Sequence, residues 1–322
     1  MKNLFSVILF IASFNVIKAQ DALKAETTLK DTSWKVAGFF GINASQTALS
    51  NWQGGGQDNV AINSIFNGEI QYKKGKVTWL SKLDAQYGLI KPGEAKLFRK
   101  NIDQLFALSK LNINAFAKHW YYAAQADFRS QLAPGYNYVG DSISGRATSD
   151  FASPAYIQLA LGIDYKPAPY FSAFLAPVAG KITHVNRQYL ADAGAYGVDK
   201  AVTDDLGNII TAGKKSRMEF GGRFVLKFKK DIVKNVNLDS YLDLFSNYMN
   251  NPQNIDVIFN NLLTFKINKY FTANIITQML YDDDITIRYD WNKDGKIDHP
   301  NDFEGPRVQI LSTFAIGFGY KF

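Results

Sequence analysis

Between Asp290 and Asn301 the chain reads DWNKDGKIDHPN, which sets Asp290, Asn292 and Asp294 at alternate positions ahead of Gly295. Oxygen-bearing side chains at that spacing before a glycine turn can wrap a hard cation such as Ca2+. The carbonyl of Lys296 and the carboxylate of Asp298 are further ligands. The loop departs from the EF-hand pattern at its twelfth position, where Asn301 stands in place of a bidentate Glu, and Asp302 comes one place late. A solvated acidic loop with an Asp-Gly turn accounts for the same residues, and the two readings stand side by side. The role expected of the ion is structural, to stiffen a loop.

A second set of ionisable residues lies inside alternating segments. Lys82, Asp84, Asp127, Arg129, Asp164, Arg217, Glu219, Arg223, Lys227, Asp239, Asp243 and Lys266 each fall on the polar parity of their segment. Mixed charges so placed can line a wet lumen and orient a charged solute, or pair with one another and fill it. Nucleophilic chemistry has less to stand on. The three histidines, His119, His184 and His299, sit at a strand start or in loops, with no Ser/His motif or oxyanion hole announced nearby. No catalytic residue and no enzyme activity is therefore expected. The glycines at Gly54–Gly56 lack the strand-to-helix setting of a phosphate loop. The adjacent Asn51 and Trp52 are candidates for binding from an external loop, or for packing on a barrel rim.

These residues need strands to hold them. From Val308 to Phe322 the chain reads VQILSTFAIGFGYKF, with Val308, Ile310, Phe314, Ile316, Phe318, Tyr320 and Phe322 on one parity, which is period two. The same alternation recurs upstream. It is cleanest where Met218, Phe220, Phe224, Leu226 and Phe228 oppose Arg217, Glu219, Arg223, Lys227 and Lys229. About twelve such segments of ~10 residues follow one another, with a bulge or bend expected at Pro177, and they predict an all-β, antiparallel up-and-down transmembrane barrel. Long connections near residues 45, 135, 185 and 285, with a moderate KPGEAK and a short NNPQ on the same side, alternate with short turns near 73, 115, 167, 232 and 268. Outward aromatics gather at the short-turn ends, as an interface girdle requires.

Composition narrows the class further. The 322 residues are 14% aromatic and contain no cysteine, which excludes disulfides and thiolate metal sites. The net charge of +7 is scattered rather than gathered in a stripe, so nucleic acid is not an expected partner. Residues 1–20 read as a signal peptide, 21–33 as a periplasmic segment and 34–322 as the barrel. After the leader no apolar run reaches the ~20 residues of a membrane helix, which leaves strands as the spanning element.

Trp34-Lys35, NWQGGGQD at Asn51–Asp58, YDDDI at Tyr281–Ile285, GPRVQ at Gly305–Gln309 and the GYKF end carry a resemblance. The chain resembles an uncharacterised family of predicted outer-membrane β-barrels from Bacteroidetes-type bacteria, a domain of unknown function. The resemblance implies the outer membrane of a Gram-negative cell and no established activity. With both termini periplasmic, the expected partners are outer-membrane lipids, the barrel-assembly machinery through the C-terminal strand, and a small polar solute. The function expected is passive or selective passage of that solute. The alternative is a non-conducting barrel that serves as a surface-interaction or assembly scaffold, with a membrane-embedded hydrolase behind both.

Overall fold

The computed structural model describes residues 33–47, 59–93, 95–268, 270–289 and 297–321. In chain order the strands are β1 (Trp34–Thr47), β2 (Asn59–Lys74), β3 (Val77–Pro92), β4 (Arg99–Asn114), β5 (Trp120–Ser130), β6 (Gly135–Val139), β7 (Ser142–Ser149), β8 (Ala155–Ala168) and β9 (Phe171–His184). There follow a short helix α1 (Gln188–Asp192), then β10 (Val202–Thr203), β11 (Ile209–Thr211), β12 (Ser216–Val233), β13 (Val236–Asn247), β14 (Ile255–Lys266) and β15 (Phe271–Tyr281). The last are β16 (Ile287–Tyr289), β17 (Phe303–Gly305) and β18 (Gln309–Lys321). Twelve of these strands close into one antiparallel barrel in the order β1-β18-β15-β14-β13-β12-β9-β8-β5-β4-β3-β2, and each coincides with an alternating segment. Three two-stranded hairpins, β6-β7, β10-β11 and β16-β17, stand in the long connections.

Closure rests on the first and last strands, which pair from Phe39 opposite Lys321 to Ile42 opposite Phe318. Strand pairing thereby runs around the ring, with four residue pairs at this seam, and closure removes the open sheet edge that could pair with another chain. The outward parity is apolar and uncovered: Val36, Leu159, Leu175, Ile310 and Phe314 each expose more than half of their surface. At the short-turn end this face carries paired rings, Trp34 on Tyr72 and Trp120 on Tyr165 at 4.7 Å, Tyr170 on Phe228 at 5.8 Å and Phe271 on Phe318 at 6.2 Å.

The bend expected at Pro177 is a bulge with a large consequence. Leu161 opposes Val178 while Ile163 opposes Leu175, so β9 carries an extra residue there. Side-chain parity flips across a bulge. Phe174 and Ala176 point inward before it, and Ala179, Lys181 and Thr183 point inward after it, all of them buried. Gly162 faces the bulge, and a Cβ on it would lie 2.0 Å from the Leu175 carbonyl oxygen.

The long connections are built rather than loose. Val185, Leu190, Ala191 and Val198 form a small buried core with Tyr189 and Tyr196 against it. Asp150 accepts from Arg187 Nε at 2.7 Å and from the Phe151 amide at 2.8 Å. Burial opposes ionisation of Asp150, but the hydrogen bonds from Arg187 and the Phe151 amide together with the charges of Arg187 and Lys100 hold the carboxyl below its usual range. The pair thus stabilises the loop above that range and ceases to do so as pH falls through the lowered value.

Gly162→Val is expected to destabilise the barrel by about 1–3 kcal/mol, the usual cost of overpacking. A lowered temperature for the heat-induced gel-mobility shift of the folded chain is the readout, and an unchanged temperature would remove the close-approach argument.

Candidate functional site

Strand alternation delivers charged side chains to the barrel interior, and the register sets which of them meet. At the centre lies Arg223 of β12, 2% exposed. Its Nη1 donates to Asp127 Oδ1 on β5 at 2.6 Å, and its Nε and Nη2 donate to Asp243 of β13 at 2.8 and 2.7 Å. Strands β12 and β5 are separated in the ring by β9 and β8, so this contact spans the interior rather than joining neighbours. Arg129 adds a 2.8 Å bond to Asp243 Oδ2 and lies 5.2 Å over the Phe106 ring. Tyr241 donates to Asp243 at 3.1 Å and completes the group.

Two further ionic groups flank it. Toward the short-turn end Asp164 is fully buried, bonded to Lys110 at 2.8 Å, Lys166 at 3.1 Å and Ser172 Oγ at 2.6 Å. Toward the long-loop end Lys181 meets Asp256 at 2.6 Å, Asp282 at 2.9 Å and Glu219 at 3.6 Å. There Arg217 bridges Glu219 and Asp284, both at 3.0 Å. Carboxylates outnumber cations in this last group.

The interior is asymmetric. Ala123, Ala160, Phe174, Ala176, Ala179, Val225 and Phe245 make a buried apolar cluster on β5, β8, β9, β12 and β13. Lys110 Nζ sits 4.2 Å over the Phe174 ring, which joins this cluster to the buried ion pairs. On the other half of the ring, polar residues of inward parity, Asn67, Glu69, Lys82, Asp84, Asn260 and Thr264, retain partial exposure. Gln104 of β4 and Gln278 of β15 hydrogen-bond to each other across the barrel.

Of the residues singled out from sequence, Asp127, Arg129, Arg223 and Asp243 meet in the central bridge. Asp164 lies in the short-turn group, and Arg217 and Glu219 in the long-loop group. Asp84 accepts from Asn67 at 2.8 Å, Lys82 lies 3.8 Å from Glu69 and Asp239 pairs with Lys229 at 2.9 Å. Lys227 is half-buried, 5.9 Å from the Tyr241 ring centre. Lys266 ends β14 with its side chain exposed at the rim, apart from these groups. Asp290, Asn292, Asp294 and Lys296 lie outside the described residues, as do Asn51 and Trp52. Asp298 is exposed, and its amide donates to Asp302 Oδ2 at 2.9 Å.

Sequence reasoning missed Lys181 and Gln278 as interior residues, and it left Lys110, Asp256 and Gln104 off the candidate set although alternation puts them on the polar parity of their strands. The signal for Lys181 was hidden by the parity flip at Pro177. Register recovers it, since Lys181 stands directly opposite Glu219.

The family described as a protein of unknown function, DUF3078, matches residues 44–136. That stretch runs from the end of β1 into β6 and contains Asp127 and Arg129 of the bridge. No curated protein matches this chain. Among solved structures, an outer membrane channel from Pseudomonas putida F1 is similar at 10% identity and a TM-score of 0.39, over 91% of this chain and 96% of the other. The translocator domain of the autotransporter NalP from Neisseria meningitidis is similar at 11% identity and a TM-score of 0.35, over 94% and 92%. The β domain of the Bordetella autotransporter BrkA gives 11% and 0.32, over 89% and 99%.

Removing one member of a buried ion cluster strands the others. Arg223→Met is expected to cost about 3–5 kcal/mol of stability, because Asp127 and Asp243 stay buried with only Arg129 to balance two negative charges. Adding Asp127→Asn and Asp243→Asn should recover a large part of that loss. Urea unfolding of the folded chain in lipid vesicles measures both, and equal stability of the single and triple variants would show that the bridge is not a coupled unit.

Proposed function

We propose that this chain is an outer-membrane β-barrel, with both termini periplasmic, that passes small polar solutes through a narrow, off-centre route. The uncovered apolar exterior and the aromatic rings at the short-turn end support the membrane setting, because strands can cross lipid only when their ladder is closed. Short turns are then periplasmic and long connections external. Lipids of that membrane are its surroundings, and the barrel-assembly machinery is its partner in biogenesis.

The asymmetric lumen is the observation that carries passage. On one half Arg223, Phe174 and Phe245 pack to closure, whereas on the other half Asn67, Glu69, Lys82 and Asp84 keep contact with solvent space. A route along that half is lined by both signs of charge and by amides, which suits small polar solutes and excludes large ones. The neutral Gln104–Gln278 hydrogen bond crosses the barrel beside it. The excess of carboxylates around Lys181 at the external mouth would draw cations ahead of anions. Nothing in this reading calls for catalysis.

A second reading, a non-conducting scaffold, is favoured by the Arg223 bridge, which ties β12 and β13 to β5 across the interior. Planar-bilayer recordings separate the two. Small discrete openings are expected from the folded chain, with a larger unit step for Gln104→Ala with Gln278→Ala. Silence from both proteins, each shown to be folded, would overturn passage and leave the scaffold.

A further inference from the structure

Three long connections converge on a recess at the long-loop end. Arg146 comes from β7, Tyr189, Leu190 and Tyr196 from the connection after β9, and Ile285 and Ile287 from the connection after β15, bordering an open recess of about 550 Å³. Small-molecule pockets typically measure roughly 300–1,000 Å³ and combine apolar walls with a few placed polar groups. This recess has both.

Its aromatic walls are held in place. The Tyr189 hydroxyl donates to the Ala147 carbonyl at 2.8 Å, and the Tyr196 hydroxyl to the Thr148 carbonyl at 2.7 Å. Burial, with Tyr189 nearby, pushes the Tyr196 hydroxyl up to about 12, so it remains a donor at physiological pH. Tyr196 itself adopts a left-handed backbone conformation, φ 60° and ψ 21°, uncommon for a residue with a bulky side chain. The surrounding fold holds that conformation: a Cβ on Gly197 would lie 2.8 Å from Arg217 Nη1 and 3.1 Å from the Asp284 carbonyl oxygen. A non-glycine residue kept in such a conformation often marks a functional position.

The charge in the recess is a guanidinium. Arg146 is exposed and lies 5.3 Å over the Tyr189 ring. Among the described residues it has no carboxylate within ion-pairing distance, whereas Arg187, on the connection after β9, is paired with Asp150. We infer that this recess binds a small organic anion with an apolar or aromatic body, its carboxylate on Arg146 and its body between Tyr189, Tyr196, Leu190 and the two isoleucines. The assignment does not depend on passage through the barrel.

The test is a fluorine NMR titration of the full folded chain in detergent micelles, with protein-free micelles as reference. The probes are 4-fluorophenylacetate and its neutral counterpart 2-(4-fluorophenyl)ethanol. Saturable binding of the anion is expected, about tenfold weaker for the neutral probe and for Arg146→Gln, which removes a charge-assisted hydrogen bond. Ala193→Trp, which fills the recess from an exposed position, should abolish it. A wild-type curve that follows empty micelles would overturn the proposal. So would equal binding by wild type and both variants, or binding of the neutral probe as tight as that of the anion.

Discussion

Every backbone group in a wall with an apolar outer face must find its hydrogen-bond partner within the wall, because the groups outside offer none. That constraint is met here by a single pairing, β1 against β18, which joins the two ends of the chain. All else depends on it. Without closure the first and last strands would present open edges, and the interior would have no opposite wall for Gln104 to reach.

Once the ring is closed, alternation forces half of all side chains into a confined space, and the molecule resolves this in two ways. On β5, β8, β9, β12 and β13 small and aromatic residues fill the space as a protein core would, with Arg223 satisfied by Asp127, Asp243 and Tyr241. Burying a guanidinium is costly, but here its donors on Nε, Nη1 and Nη2 all meet acceptors, and two carboxylates neutralise it together with Arg129. On the remaining strands amides and charges stay partly wet. The bulge at Pro177 decides where the packed half begins, because it turns Phe174 and Lys181 inward from one strand.

The connections at the long-loop end extend this order beyond the barrel. They carry their own buried core around Leu190 and Val198, and Gly197 presses them onto the Arg217–Asp284 pair. A rim held by polar contacts and a small core can present side chains in fixed geometry, as the two tyrosines bonded to Ala147 and Thr148 show.

Period-two alternation over twelve segments, absent cysteines and aromatics at the short-turn ends were enough, from sequence alone, for an antiparallel barrel with its strands in order. This was possible because a strand with one apolar and one polar face records its orientation in its own residues, as in the Met218–Phe228 segment. The closed ring agrees with that reading of the fold. Which interior charges meet was not legible. Arg223 and Asp127 are 96 residues apart, and only cross-strand register and the curvature of the wall bring them to 2.6 Å. The parity of β9 was ambiguous because one inserted residue reverses every side chain after it. The hairpins and α1 inside connections that read as loops were hidden for a related reason, since their stability comes from packing on one another. Strand order was local information, whereas the filling of the lumen is a property of the closed surface, decided only when distant strands face each other across it.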